Sequence, residues 1–180
     1  MQITQLTLQD FRSYTEARWD FTSDKVVLFG SNGRGKTNIL ESISMMSVAK
    51  SWRDNTPGAL IRDGAESAKI TLQTAEKNQF EAILHQRGKN FSRNAKKLTL
   101  KELIGQIPTL LFCPELIQLF AGDKKNRVLF FDRFLAQVIP QYRDHLLRAD
   151  KAHRYKTQIL KNAEVFDSSV AAQLQPWNQI

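Results

Sequence analysis

Apolar and polar residues alternate in several stretches of the first half of the chain, which is typical of half-buried β-strands. One run lies between Ile3 and Phe11, with Leu6 and Leu8 as apolar members. Two more runs flank the polar segment Glu76–Asn78, and their spacing predicts an antiparallel hairpin. Their apolar members are Ala68, Ile70 and Leu72 before this segment and Phe80, Ala82 and Leu84 after it.

Two other segments, Lys25–Phe29 and Ile107–Phe112, are almost continuously apolar, which is typical of strands buried on both faces. The first is predicted to be a parallel strand, because a glycine loop and then a helical pattern follow it. The segments Asp54–Gly64 and Arg87–Lys97 carry turn-forming and charged residues, so we expect exposed loops there.

Helical periodicity begins directly after the glycine loop. Ile39, Ile43 and Met46 recur at helical spacing and predict a helix over about 37–48. Downstream, Thr99–Glu102 fits a capping box, in which the first and last side chains each bind the other residue's backbone N–H. We therefore expect a short helix at this point as well.

The character of the chain changes near Pro114. From about Glu115 onward the pattern is helical, with a break at Pro140. We therefore divide the chain into a strand-rich part, residues 1–114, and an all-helical part, residues 115–180. One predicted helix face in the second part combines Val128, Phe131, Leu135 and Val138.

The segment Gly30–Thr37 fits the pattern G-x-x-x-x-G-K-[ST], the P-loop that binds nucleotide phosphates. Its glycines allow successive backbone N–H groups to approach an anion. Lys36 is expected to reach the β- and γ-phosphates, and the Thr37 hydroxyl to ligate Mg²⁺. The alternative is a glycine-rich turn that binds nothing. The candidate nucleotide site comprises Gly30, Ser31, Asn32, Gly33, Arg34, Gly35, Lys36, Thr37 and Asn38.

Composition narrows the class of protein. The chain has 180 residues, 42% of them apolar, and no long uncharged apolar run, so we expect no membrane span. The single cysteine, Cys113, and the lack of a visible export signal favour the cytoplasm. The three histidines do not stand at metal-ligand spacing, so we expect no metal besides nucleotide-bound Mg²⁺.

The net charge of +8 favours a polyanionic partner. The segment Gln86–Lys101 carries six basic residues and no acidic residue. The segment Arg143–Lys161 carries six basic residues against two acidic ones. For each segment the alternative is a solvated face that binds nothing.

Several motifs together resemble the RecF family of bacterial DNA repair proteins, which belongs to the ABC/SMC ATPase group. Phe11–Tyr14 is similar to the family's F-R-N-Y, and Gly33–Ile43 is similar to G-x-G-K-T-N-L-L-E-A-I. The resemblance covers Met1 to about Tyr142 and extends more loosely to Trp177. Further similar segments are Lys50–Arg53, Leu60–Ala68, Leu111–Leu116 and Phe131–Arg133.

The chain also departs from this family. Ser13 stands where Asn is usual, Cys113 replaces a Ser, and Gly122–Arg127 lacks the family's Pro and paired arginines. RecF-like ATPases continue for about as many residues again. We therefore expect a fragment that stops before the signature motif and before the second metal-binding carboxylate.

The resemblance implies an α/β fold, a P-loop NTPase of the ABC/SMC type. Residues 1–114 would form part of the ATP-binding lobe, with a mixed sheet, and residues 115–180 the start of an all-helical lobe. It also implies that Arg12 and Ser13 reach the nucleotide phosphates from the side, the alternative being an exposed loop arginine. Glu115 lies near the Q-loop position, and capping of the following helix is its alternative role.

The family's properties extend to cofactors and partners. They imply ATP and Mg²⁺, an ATP-dependent homodimer on double-stranded and gapped DNA, and recombinase loading with RecR and RecO. No membrane partner is expected. As a hypothesis, Arg93, Lys96 and Lys97 contact the DNA backbone, with the basic segment Arg143–Lys161 as the second candidate.

Two rival functions remain open at this stage. One is a small, complete P-loop phosphotransferase with Asp132 as its metal carboxylate, although the spacing around Asp132 favours a helix over a strand end. The other is a non-catalytic DNA-binding fragment. Since this chain contains neither the signature motif nor an apolar strand ending in a carboxylate, we predict nucleotide binding without turnover.

Overall fold

The computed structural model describes residues 1–53, 56–112, 122–163 and 168–178. The chain divides into two compact units, Met1–Pro114 and Glu115–Ile180. The described part of the first unit is built on a β-sheet with two α-helices, and that of the second consists of helices. The assignment of these units to an ATP-binding lobe and a helical lobe stays a prediction.

The first unit contains a six-stranded sheet with the strand order β2-β1-β3-β4-β5-β6. Every neighbouring pair of strands is antiparallel. The strands are β1 (Ile3–Phe11), β2 (Tyr14–Asp20), β3 (Ser67–Thr74), β4 (Gln79–His85), β5 (Gly88–Arg93) and β6 (Lys96–Leu98).

The predicted hairpin is confirmed as β3 and β4, with Leu72 opposite Phe80. Alternation places these apolar side chains on one face of the sheet, where both are buried. The other face is polar and carries an ion pair between Lys69 and Glu81, whose charged atoms lie 2.7 Å apart.

The helix predicted after the glycine loop is confirmed as α1 (Lys36–Val48). It covers the apolar face of the sheet through Ile39, Met45 and Met46, which belong to the same buried cluster as the strand residues. The predicted capping box is also confirmed, because Thr99 and Glu102 bind each other's backbone N–H at the start of α2 (Leu100–Leu103).

Two predicted strands are wrong. Neither 25–29 nor 107–112 forms a strand, and Val27, Phe29 and Phe112 are 82%, 92% and 84% exposed. A parallel strand needs neighbouring strands whose backbone groups pair with its own. The described residues supply no such neighbour for 25–29, so Val26, Val27 and Phe29 stay exposed and only Leu28 packs against the core.

Two other segments are strands that the pattern did not predict. The polar segment 87–97, expected as a loop, forms β5 and β6 at one edge of the sheet, with Phe91 on the buried face. At the other edge, β2 pairs with β1 across a two-residue turn formed by Arg12 and Ser13. Arg12 adopts a left-handed φ of 53°, and an arginine there hides the turn from sequence patterns that look for Gly, Asn or Asp.

The described part of the second unit is helical, in agreement with the helical pattern predicted from about Glu115 onward. Pro140 separates the first two helices, in agreement with its inability to continue a helix. The rings of Tyr155 and Trp177 stack with centroids 4.4 Å apart. The elements are α3 (Lys124–Val138), α4 (Tyr142–Asn162), α5 (Ser168–Leu174) and a 3₁₀ turn (Gln175–Trp177).

Candidate nucleotide-binding site

The glycine loop leads directly into α1. Residues 30–34 and Thr37 are exposed, and Lys36 is the first residue of the helix. The first turn of α1 has no side-chain cap and no acidic residue. The N-terminal backbone N–H groups of the helix and its positive dipole end are therefore not neutralised by a carboxylate of this turn.

The Lys36 side chain folds back over the loop. Its ammonium group donates hydrogen bonds to the carbonyl oxygens of Gly30 and Ser31, at 2.7 and 2.8 Å. These contacts place a positive charge beside a loop that exposes its backbone to solvent. The arrangement fits the phosphate groups of a nucleotide, since their negative charges would meet both the ammonium and the helix N-terminus.

Gly35 is constrained from two sides. Its φ of 88° lies in the left-handed region, and a Cβ atom there would lie 2.7 Å from the Tyr14 hydroxyl and 3.0 Å from Ser13 Oγ. The Tyr14 hydroxyl also donates to the Arg34 carbonyl at 3.3 Å. Burial raises the Tyr14 pKa, because it disfavours the charged phenolate. The turn between β1 and β2 thus packs against the P-loop.

The predicted phosphate-contacting residues on this turn lie close to α1. Ser13 Oγ accepts a hydrogen bond from Asn38 Nδ2 at 3.1 Å, and Asn38 Oδ1 accepts one from Arg53 Nη1 at 3.3 Å. Arg12 instead directs its guanidinium to Glu41, with Nε 3.0 Å from Oε2 and Nη2 2.7 Å from Oε1. Sequence reasoning predicted Arg12, Ser13 and Asn38 at the site, and the fold brings them to one flank of the loop.

Sequence reasoning assigned no role to Glu41, which is fully buried. Its position in the sequence indicates that the side chain faces the core. Asn38, Glu41 and Met45 share one helix face at spacings of three and four, and Met45 belongs to the core. A carboxylate on a core-facing stripe needs charged or polar partners. Arg12, Ser51 and Arg53 are the partners that the structure provides.

The other predicted site residues lie elsewhere. Glu115 falls outside the described residues. Asp132 lies on α3, as its helical spacing predicted, and its Oδ1 accepts a hydrogen bond from Tyr142 at 2.5 Å. This bond raises the Tyr142 pKa, with desolvation and the Asp132 charge adding to the effect. Across the described ranges, no group of three or more His, Cys, Asp or Glu residues is placed to hold a metal ion.

The basic residues of the β5–β6 edge fall into two kinds. Arg93 is half-buried, and its guanidinium binds Asn78 Oδ1 at 3.0 and 3.1 Å and Gln106 Oε1 at 2.9 Å. Lys96 and Lys97 are exposed. Only the two lysines therefore present their charges mainly to solvent.

Comparison with known proteins identifies the family of this chain. The family model described as "AAA domain" matches residues 5–173. The "DNA replication and repair protein RecF" of Clostridioides difficile (strain 630) is 32% identical over 169 residues, covering 92% of this chain and 46% of that protein. The same-named protein of Natranaerobius thermophilus is 33% identical over 189 residues, covering 99% and 48%. The chain thus spans about half the length of the curated relatives it matches.

Solved structures match the fold. A recombination mediator protein RecF-ATP of the RecFOR pathway superposes with a TM-score of 0.80 at 20% identity, covering 98% of this chain and 50% of that chain. An SmcHead bound to the C-winged helix domain of ScpA superposes with a TM-score of 0.61 at 18% identity, covering 88% and 58%. Within the described ranges, no helix is long and apolar enough to cross a membrane. The predicted P-loop fold of ABC/SMC type and the resemblance to RecF are confirmed, and the chain belongs to the AAA domain family.

Proposed function

We propose that this chain binds ATP through the P-loop Gly30–Thr37. The observation that carries the proposal is the Lys36 ammonium, held over an exposed glycine loop at the uncapped start of α1. Positive charge, exposed backbone N–H groups and a helix N-terminus together favour a polyphosphate ligand. The likeness to a protein described as RecF-ATP supports ATP as that ligand.

Mg²⁺ would enter with the nucleotide. Thr37 is exposed at the second position of α1, where its hydroxyl would ligate the ion as in other P-loop proteins. The ion would neutralise part of the phosphate charge. The residues of this chain would then act by binding and orienting the phosphates.

At the level of the cell, the proposed role is in DNA replication and repair, following the RecF relatives. A longer RecF-like protein would dimerise on ATP, bind double-stranded and gapped DNA, and load recombinase with RecR and RecO, in the cytoplasm. Of these activities, we propose that the present chain contributes the binding of ATP. Glu115, as the residue near the Q-loop, would belong to the same machinery.

We expect nucleotide binding without appreciable hydrolysis. Phosphoryl transfer needs a second metal carboxylate and groups that stabilise the transition state, and the sequence contains neither the signature motif nor an apolar strand ending in such a carboxylate. Phosphate release by the purified chain should therefore stay far below the ~1 per second typical of slow kinases. Faster release, lost in Asp132→Asn, would instead support the phosphotransferase.

Thermal unfolding with and without Mg²⁺-ATP tests the proposed binding. A ligand that binds only the folded state adds about 2.7 kcal/mol at a concentration of 100 times Kd. The wild type and the control Lys25→Ala, which removes an exposed lysine outside the loop, should both show an upward shift in Tm. Lys36→Ala should show a much smaller shift. Equal shifts in all three proteins would contradict binding through the P-loop.

DNA binding independent of nucleotide is the second candidate, favoured by the exposed Lys96 and Lys97 at the edge of the sheet. Contacts to phosphates would make the affinity salt-dependent and nearly insensitive to base sequence. An affinity for duplex DNA that ATP leaves unchanged would support this candidate.

A further inference from the structure

Glu41 is a charged residue of α1 whose side chain is fully buried, and it lies five residues after the P-loop lysine. Carboxylates are almost never fully buried unless they are paired. The partners of Glu41, which are Arg12, Ser51 and Arg53, all lie outside α1.

The carboxylate joins three segments of the chain. From the β1–β2 turn, Arg12 binds both oxygens, at 2.7 and 3.0 Å. From the segment after α1, the Ser51 hydroxyl donates to Oε1, and the Arg53 guanidinium lies 3.9 Å from Oε2. The planar fork of Arg12 fits the two oxygens in parallel, a geometry that fixes direction as well as distance.

The residue held in this way sits in a strained turn. Arg12 has a φ of 53°, which costs a non-glycine residue free energy. Its Nη1 donates to the Ala59 carbonyl at 2.7 Å, and its backbone N–H donates to the Leu60 carbonyl at 2.9 Å. These bonds, together with those to Glu41, keep the turn in one conformation.

The turn also contacts the nucleotide site. Ser13 binds Asn38, and the Tyr14 hydroxyl binds the Arg34 carbonyl within the P-loop. A change in the direction of Arg12 would therefore reach the loop through its two following residues. The Arg12 side chain itself is 17% exposed, so part of it lies at the surface on this flank.

We propose that Glu41 is a positioning residue of the nucleotide site, which fixes the Arg12 guanidinium and the turn 12–14 against the P-loop; this rests on the proposed ATP binding. Buried ion pairs are poor stabilisers, since the desolvation of two charges offsets their attraction. Glu41, which binds two arginines beside a phosphate-binding loop, is therefore better explained by the orientation that it gives to their guanidinium groups. Arg53, which is 48% exposed, is held on the same flank by Glu41 and Asn38.

The test combines Glu41→Gln, Arg12→Gln and the double variant, with Glu16→Gln on exposed β2 as the control. Calorimetric titration with Mg²⁺-ATP and thermal unfolding are measured for each. Glu41→Gln should weaken ATP binding about tenfold, or roughly 1.4 kcal/mol. In the Arg12→Gln background the same change should cause no further loss of affinity, because Glu41 acts through Arg12. It should raise Tm there, because it removes a buried charge that has lost its bidentate arginine partner.

A merely structural Glu41 predicts the opposite pattern, in which Glu41→Gln lowers Tm and leaves the ATP affinity unchanged; that result overturns the proposal. If Glu41→Gln does not fold, Glu41→Asp replaces it, since it keeps the charge and withdraws it by one methylene. Glu41→Asp should lose affinity severalfold, and wild-type affinity would overturn the proposal. If the wild type and Lys36→Ala bind ATP equally, the proposed function itself fails and this inference fails with it.

Discussion

At the residue scale, the nucleotide site depends on close contact between the P-loop and the turn that follows β1. Gly35 shows this most clearly, because both its backbone conformation and the adjacent Tyr14 hydroxyl exclude a side chain. The motif itself predicted a glycine here, but only the structure gives the second reason. Tyr14 ends the F-R-N-Y-like segment, but the hydrophobic pattern did not predict its strand, so its contact with Gly35 was not expected.

Replacement of Gly35 distinguishes the effect of its left-handed backbone conformation from the effect of crowding against Tyr14. Gly35→Ala should destabilise the fold by about 1–2 kcal/mol from left-handed strain alone, and by more from the crowding against Tyr14. Gly33→Ala is the matched control, because Gly33 has a similar φ of 78° and nothing within 4 Å of the added Cβ. Urea unfolding measures both. Equal losses in the two variants would show that the packing against Tyr14 is unimportant.

At the element scale, segments with clear apolar periodicity were predicted, whereas the polar strands β2, β5 and β6 were not. α1, the β3–β4 hairpin and the capping box each combine periodicity with a fixed turn or cap, so local sequence is enough. The strand predicted at 25–29 has the right composition but lacks a neighbouring strand among the described residues. β5 carries a single buried apolar residue, Phe91, so its polar sequence concealed a strand.

The β5–β6 edge makes a prediction about its basic residues. Arg93→Gln should lower Tm, because it breaks hydrogen bonds to Asn78 and Gln106 and the contact of the guanidinium with the Phe80 ring. Lys96→Gln with Lys97→Gln should leave Tm nearly unchanged. If these two lysines contact DNA, the double variant should reduce the slope of log affinity against log salt by about 0.9 per contact.

Fluorescence anisotropy with a short duplex, over a series of salt concentrations, checks this prediction. An unchanged affinity and slope in the lysine double variant would remove β5–β6 as a DNA site. The basic residues of α4 (Tyr142–Asn162) would then be the next candidates.

At the scale of the whole molecule, the first unit exposes an apolar surface beside α1. A cleft of about 760 Å³ is lined mainly by apolar residues, including Val26, Val27, Ile39 and Ile43. Phe29 lies on the same segment and is 92% exposed. Exposed apolar surface in contact with water is unfavourable.

This surface should bind a hydrophobic dye such as anilinonaphthalene sulfonate in the native state. Val27→Thr with Phe29→Ser should lower the dye fluorescence and leave Tm nearly unchanged, because both side chains are already exposed. The matched control is Leu60→Ala, which truncates a buried core residue and should lower Tm by the loss of packing. Unchanged dye binding in the double variant would show that Val27 and Phe29 do not form the dye-binding surface.

Calorimetric titration with Mg²⁺-ATP measures whether Lys36 and its loop bind nucleotide phosphates. We predict saturable binding by the wild type and by Lys25→Ala, with a single site per chain. Lys36→Ala should lose about 1.5–3 kcal/mol of binding free energy, as expected for a hydrogen-bonded charge. Equal affinity of the wild type and Lys36→Ala, or no binding by the folded wild type, would show that the P-loop does not bind ATP.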